Sequence, residues 1–385
     1  MNLEEKNFKP VIRPLLSWYR KNKRILPWRQ DPKPYNVWVS EIMLQQTRVE
    51  AVKPYYRRFM EALPTVRDLA ECPEEQLLKL WEGLGYYNRV RNLQTAAQTI
   101  MSEYNGELPR DYKQLLSLKG IGSYTAGAVA SISYGIYVPA VDGNVFRILM
   151  RLAGDDSDIA KPALRKRVEA YLLKIMETEL KNCKGFEDNL PGMFNQALME
   201  LGATVCVPNG APNCSLCPWR EFCTACQKQL TELLPVKTKK IKRRIEERTI
   251  LIIRDGERTI LRKRPAKGLL AGLYEFPNFL GFLEEKEVLS AVREMDLNPL
   301  KIEALSEANH VFSHVEWRMK GFLVRVDSLT TEKTSEIFAE LEELEENYPI
   351  PTAFSTYTKE LQVILGYEKV KLSFKDDLLY TDTSM

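Results

Sequence analysis

The sequence predicts two regions of different class: an all-α region over residues 1–230, followed by a smaller α+β domain over residues 249–368. Three observations predict it. Up to about residue 230, apolar residues recur at three- and four-residue spacing, as in Val37-Trp38-Ile42-Leu44, Leu77-Leu80-Trp81-Leu84 and Val168-Tyr171-Leu172-Ile175. That is the period of a helix with one buried face. After Pro235 the texture changes, and residues 237–248 (KTKKIKRRIEER) hold seven basic and two acidic residues with almost no apolar periodicity. Beyond it, Thr249–Arg254 and Thr259–Lys263 are β-rich runs joined around Asp255-Gly256, a strong hairpin signal.

Composition narrows the function classes. The chain has 385 residues, 44% hydrophobic and 28% charged, which suits a globular protein with a sizeable core. No stretch approaches the ~18 unbroken apolar residues of a membrane span. The opening MNLEEKNFKP is charged and lacks the apolar stretch of a signal peptide. We therefore expect an intracellular, cytoplasmic protein. The formal net charge is only +3, so charge alone implies no polyanionic partner. The two histidines, His310 and His314, exclude sites that need several dispersed imidazoles.

Taken along the chain, the first chemically suggestive segment is Val37–Thr47. Glu41 is the only charge in it, and its helical neighbours at minus four and plus three are Val37 and Leu44. A carboxyl on an apolar helix face has its charged form disfavoured, so its pKa rises. That suits a general acid at neutral pH. The alternative is a structural glutamate bonded to nearby backbone. Next, Gly120 and Gly122 in Leu118-Lys119-Gly120-Ile121-Gly122-Ser123-Tyr124 sit between apolar helical segments. Glycine permits a tight turn there, and free N–H groups at the next helix start can bind phosphate. This is the helix–hairpin–helix pattern of DNA-binding proteins, set against an ordinary helix–helix turn. Asp142 then opens an apolar helix (Val145, Ile148, Leu149, Leu152) and is a good N-cap. Its position about one helix beyond the hairpin would bring its carboxylate near bound DNA. Five of the seven cysteines fall within residues 206–226, a clustering that points to metal or redox chemistry. In the last third, His310–Phe312 and Trp317–Val326 read as strands, and Glu284–Met295 and Thr331–Glu346 as helices. The acidic tail 369–385 reads as disordered.

Residues 27–47, 83–91 (GLGYYNRVR), 118–126, 138–147 (VPAVDGNVFR), 195–203 (NQALMELGA) and the cysteine cluster occur in that order. Together they closely resemble the adenine DNA glycosylase (MutY) family of the helix–hairpin–helix glycosylases, over nearly all of residues 8–365. The resemblance implies a helical catalytic region with an iron–sulfur loop (1–230), a basic linker (231–248) and a MutT-like, Nudix-fold domain (249–368). It implies removal of adenine mispaired with 8-oxoguanine or guanine in double-stranded DNA, by a monomer. Glu41 would protonate the extruded adenine at N7, and Asp142 would stabilise, or transiently bond to, the oxocarbenium-like sugar. Tyr124 and Asn144 match further active-site positions. Arg29, Leu44 and Gln196 match the adenine pocket, while Gln46 and Tyr86 match residues wedged into the base stack. Gly120, Gly122 and Ser123 match the DNA-holding hairpin. Endonuclease III-type relatives carry a Schiff-base lysine where Tyr124 stands; tyrosine cannot do that chemistry, which implies a monofunctional enzyme.

The cysteines read C206-x7-C214-x2-C217-x5-C223. The family spacing is C-x6-C-x2-C-x5-C, which binds a [4Fe–4S] cluster through four thiolates. The first gap here holds one extra residue, and Cys226, three positions past Cys223, is a possible spare ligand. A four-cysteine zinc site is the other reading. In the C-terminal domain, Lys263-Arg264-Pro265 and Gly268–Pro277 carry the MutT likeness, and His310-Val311-Phe312-Ser313-His314 resembles the loop that reads 8-oxoguanine. Residues 284–296 lack the R-E-x-x-E-E pattern that a Nudix hydrolase needs for Mg²⁺. Competing readings are a thymine or uracil glycosylase on the same scaffold, a non-catalytic lesion-binding protein, and a Nudix hydrolase with a DNA tether.

Overall fold

The computed structural model describes residues 3–186, 189–238, 243–329 and 336–366. The chain divides into two compact units, one of residues 1–72 and 88–240, the other of residues 73–87 and 241–385. Among the described residues, no helix is long and apolar enough to cross a membrane.

The first unit is helical. Its core gathers Leu15 and Leu16 from the helix Lys9–Asn22, Val145, Ile148, Leu149 and Leu152 from Gly143–Ala153, and Phe194, Leu198 and Leu201 from Leu190–Thr204. Each of these side chains is worth about 1.5–3 kcal/mol when taken out of water. Helix Pro34–Leu44 begins with a proline in its first turn, where the missing N–H would have had no helical partner. The hairpin lies between helices Tyr112–Ser117 and Ser123–Tyr134. Gly120 turns it at φ 78°, and a Cβ there would meet the Asn92 Cβ at 2.6 Å. Helix Ser123–Tyr134 is buried along Thr125–Ile132, and its small residues let other backbone come close. A Cβ on Gly127 would lie 2.1 Å from the Pro139 carbonyl oxygen. That contact fixes the segment leading to Asp142 against the helix that carries Tyr124.

The second unit is built on a seven-stranded sheet among the described residues: β1 (Arg244–Asp255), β2 (Arg258–Lys263), β3 (Tyr274–Glu275), β4 (Asn278–Leu280), β5 (Pro299–Val311), β6 (Val315–Val326) and β7 (Ile337–Ala339). The strand order is β3-β2-β1-β6-β5, with β4 also on β1 and β7 on β2. β1 runs parallel to β6, and the other pairs are antiparallel. The sheet is covered on both faces, which is why Thr249–Ile253 of β1 is continuously buried rather than alternating. Ile250 and Ile252 pack with Phe354, Tyr357 and Leu361; Leu251 and Ile253 pack with Val288 and Val292 of helix Glu285–Glu294.

Three local readings differ from the sequence expectation. Of the stretch read as a helix over 331–346, residues 331–335 lie outside the described residues, Ile337–Ala339 form β7 and only Leu341–Glu346 is helical. Pairing of Leu261, Ile260 and Thr259 with Ile337, Phe338 and Ala339 outweighs their helical spacing, and a Glu340–Glu343 capping box starts the helix later. The basic segment is strand from Arg244 onward, because Arg244–Arg248 pair in register with Val315–Met319; residues 239–242 and the tail lie outside the described residues. Residues 73–87, read as part of the helical region, group with the sheet unit. There Glu75 meets Lys263 Nζ and the Tyr274 hydroxyl, both at 2.8 Å, and the Ile350 N–H donates to Glu82 at 2.8 Å.

Replacing Gly127 with Ala forces the Pro139 backbone away. We expect a loss of about 1–3 kcal/mol, measured by urea denaturation, whereas Gly256→Ala, where the added Cβ meets nothing within 4 Å, loses less, through its positive φ alone. Equal losses would show that the close approach carries no energetic weight.

Candidate active site

The structure brings eight of the sequence-predicted residues of the helical region to one cleft of about 1090 Å³ in the first unit. Glu41, Tyr124, Asp142, Asn144, Arg29, Leu44, Gln196 and Gln46 all line it. Glu41 stands on the mostly buried helix Pro34–Leu44 and is only 5% exposed. Its Oε2 accepts a hydrogen bond from the Tyr124 hydroxyl on the facing helix. Burial pushes the Glu41 carboxyl up to about 7; the Tyr124 bond works against the rise, and nearby Asp142 adds to it. Burial likewise holds Tyr124 well above the usual phenol range. Tyr124 therefore stays a neutral hydrogen-bond donor at physiological pH.

Asp142 is the N-cap of helix Gly143–Ala153. Its Oδ1 accepts from the Val145 N–H at 2.8 Å and its Oδ2 from Asn144 Nδ2 at 2.6 Å. Burial raises its pKa, while these donors favour the charged form. The bonds continue outward. Arg147 donates to Asn144 Oδ1 at 2.8 Å, to the Gly202 carbonyl at 2.7 Å and, through Nε, to the Cys206 carbonyl at 2.7 Å. One turn on, Arg151 donates to Cys206 Sγ at 3.2 Å. A continuous chain of hydrogen bonds thus runs from the Asp142 carboxylate to the first cysteine of the cluster.

Three groups here were not singled out from the sequence. Glu200, whose side chain is fully buried, receives Arg24 Nε at 2.7 Å, Arg24 Nη2 at 3.0 Å and Arg29 Nη2 at 2.7 Å. Burial alone would raise its pKa, but the two guanidiniums hold the carboxyl below the usual range. Arg29 is thereby fixed on the cleft wall. Arg89 donates to the carbonyls of Ile42, Met43 and Gln45 at 2.8, 3.1 and 2.7 Å. It satisfies the open carbonyls at the end of the Glu41 helix and so fixes the start of the Gln46 turn. Arg147 and Arg151 form the third group. Only Glu200 carried a signal like that of Glu41, being the one charge in the apolar helix Leu190–Thr204.

The remaining predicted residues lie elsewhere. Gly120 and Gly122 are exposed on the hairpin, and Ser123 Oγ donates to Glu169 at 2.8 Å. Cys206, Cys214, Cys217, Cys223 and Cys226 line one small pocket. Within the second unit, the Tyr86 and Ser313 hydroxyls are 3.3 Å apart. Phe312 packs edge-on to His310 and Trp317, with ring centroids 4.6 and 4.9 Å away. Ser313 and His314 are exposed.

Residues 39–176 match the HhH-GPD superfamily of base excision DNA repair proteins, and residues 248–360 match the NUDIX domain. The adenine DNA glycosylase of Mus musculus is 34% identical over 81% of this chain and 70% of its own length. That of Buchnera aphidicola subsp. Acyrthosiphon pisum is 34% identical over 81% of this chain and 85% of its own. The chain belongs to the adenine DNA glycosylase family. It is a DNA glycosylase of the base-excision class, with a helical HhH-GPD region followed by a smaller Nudix-like α+β domain. The enzyme of Schizosaccharomyces pombe is 36% identical over 68% of each chain.

For this DNA glycosylase, the buried Glu41 makes stability depend on pH. Its carboxyl titrates near 7 folded but near the ordinary 4.5 unfolded, so the folded state binds more protons between those values. Stability therefore falls as pH rises from 4.5 to 7 and levels off above, by about 3 kcal/mol. Glu41→Gln, which still accepts from Tyr124, removes that dependence. Urea midpoints at pH 5 and pH 8 should differ less in the variant than in the parent; equal differences would place the Glu41 carboxyl in an ordinary environment.

Proposed function

We propose that this enzyme hydrolyses adenine from double-stranded DNA where adenine is mispaired with 8-oxoguanine or guanine, leaving an abasic site, and that it does so as a monomer inside the cell. The observation that carries this reading is the pairing of two carboxyls with different partners in one cleft: Glu41, dry and poised near 7, and Asp142, also raised by burial but drawn toward its charged form by N–H donors. Such a split assigns an acid and a charge stabiliser.

The target base is stacked in duplex DNA, so it must be extruded into the cleft. The hairpin Gly120–Ser123 holds the backbone, and Gln46, on the cleft wall, fills the gap left in the stack. Arg29, Leu44 and Gln196 receive the adenine. Glu41, protonated in a substantial fraction of molecules near neutrality, gives its proton to N7. The bond between N9 and C1′ then breaks with its electrons on the base. The positive charge left on the sugar faces the Asp142 carboxylate, which Asn144 and the helix N-terminus hold in place. Water adds to C1′ and loses a proton, so adenine leaves neutral and the strand stays intact. Tyr124 orients Glu41 and offers no amine for a Schiff base.

We assign Cys206, Cys214, Cys217 and Cys223 to a [4Fe–4S] cluster. An all-sulfur donor set around one pocket supports this. Among the described residues no three His, Cys, Asp or Glu side chains converge on a point that one metal ion could occupy. The pocket's thiols come with no imidazole or carboxylate among its lining residues, which is the donor chemistry such a cluster takes. When bound, it supplies four iron–sulfur bonds that tie the loop 206–226 together. In the second unit, His310, Phe312, Ser313 and His314 read the 8-oxoguanine edge, the Ser313 hydroxyl able both to donate and to accept.

Incubation with duplexes carrying A:8-oxoguanine, A:G, T:G and U:G, followed by alkali, tests the reaction. Cleavage of the adenine strand alone is expected, and Glu41→Gln should lose at least about 100-fold, the usual scale for a general acid. Cleavage opposite T:G or U:G, or stable borohydride trapping on DNA, would overturn the assignment. Phe312→Ala with Ser313→Ala should erode the ratio of A:8-oxoguanine to A:G rates while leaving the A:G rate near that of the parent. An unchanged ratio would remove that loop from lesion reading.

A further inference from the structure

The cysteine pocket contains one thiol more than four ligands require. Cys226 lines it together with Cys206, Cys214, Cys217 and Cys223. It sits on the short helix Thr224–Gln227, directly after Cys223, which caps that helix. Its neighbours are specific. The Cys226 and Cys214 thiols share a hydrogen bond, and Cys226 also stands near Cys223. The sulfurs interacting with Cys217 are instead those of Cys206, Cys223 and Cys214. Cys226 thus stands beside two of the four ligand positions, Cys214 and Cys223, and shares its thiol hydrogen bond with Cys214.

The ligand positions differ in anchorage. Cys206 is fixed by Arg151 at its sulfur and by Arg147 at its carbonyl, and the Cys223 thiol donates to the Arg151 carbonyl at 3.4 Å. Cys214 opens the single turn Cys214–Leu216, preceded by Val207–Asn213, the gap that is one residue longer than the family spacing. Exposed Asn209, Gly210 and Ala211 lie in that gap. Of the three gaps between the four ligands this is the longest, and it faces solvent before the Asn213 N–H ties it back to the Val205 carbonyl at 2.9 Å.

We propose that Cys226 is a reserve ligand for the iron bound by Cys214, which makes this a five-thiol site in which four thiolates bind at a time. The inference rests on the cluster assignment above. In the exchange, the Cys226 thiol loses its proton to solvent and its sulfur forms a bond to the iron. The bond from that iron to the Cys214 sulfur breaks, and Cys214 takes up a proton. No oxidant or reductant is consumed, and the cluster keeps its charge.

Iron and acid-labile sulfide are measured in the purified holoprotein and in alanine variants, with the visible absorbance and the far-ultraviolet circular dichroism of each. We expect about four of each per chain in the parent. Cys214→Ala and Cys226→Ala should each keep that content. Cys217→Ala and the double variant Cys214→Ala with Cys226→Ala should lose most of it. Loss from Cys214→Ala as complete as from Cys217→Ala overturns the proposal while leaving the cluster assignment standing. A parent protein without iron overturns both. A second measurement needs no variant: brief alkylation of the native holoprotein followed by peptide mapping. Within residues 206–226 modification should fall on Cys226, and protection of Cys226 equal to that of the other four would refute its reserve role.

Discussion

The site depends on keeping one carboxyl dry. Glu41 titrates near neutrality because the helix that carries it is buried on nearly every side, and taking a charge out of water is costly. Much nearby structure serves that end. Arg89 closes the helix's carbonyl end, and Tyr124 gives the carboxyl one well-directed donor. The hairpin helix reaches the active-site segment through a contact so close that only hydrogen fits on Gly127. A polar group placed this way is stable only if its few partners stay in register.

Glu200 shows what the same burial does when cations are added. Both are glutamates in apolar helices lining one cleft, yet Glu200 is charged and Glu41 is poised to be neutral. The difference is the pair Arg24 and Arg29, whose guanidiniums reach Glu200. Arg29 influences Glu41 only at longer range, as the smallest contribution to its pKa. One acid thus serves as a proton reservoir, while its neighbour organises the cleft wall.

How much of this was readable in advance follows from the kind of signal each part emits. Glu41, Asp142 and the hairpin were legible because an isolated charge, a cap and paired glycines are local features. The sheet was legible where its strands are buried, as in Thr249–Ile253, and illegible in β5, where Leu300, Lys301, Glu303 and Glu307 face solvent and leave little apolar pattern. The helical reading of β7 fails because its identity comes from β2, 80 residues earlier in the chain at Thr259↔Ala339. Arg24, Arg89 and Arg147 look like surface charges in sequence, since their partners are backbone carbonyls or distant acids. The grouping of residues 73–87 with the sheet unit could not be read at all, because its basis is long-range bonding to Lys263, Tyr274 and Ile350.

That last feature has a topological result. Because Pro73–Tyr87 belongs to the sheet unit while the chain on both sides of it belongs to the helical one, the polypeptide passes from one unit to the other three times, near residues 72, 87 and 240. A protease that nicks the basic connection near residue 240 therefore does not release an intact Nudix-like fragment. The excised piece leaves behind the strip that satisfies its Lys263, Tyr274 and Ile350 N–H, and the remaining helical fragment retains a strip stripped of its companions. An expression boundary drawn at the apparent linker therefore separates residues 73–87 from the unit they group with.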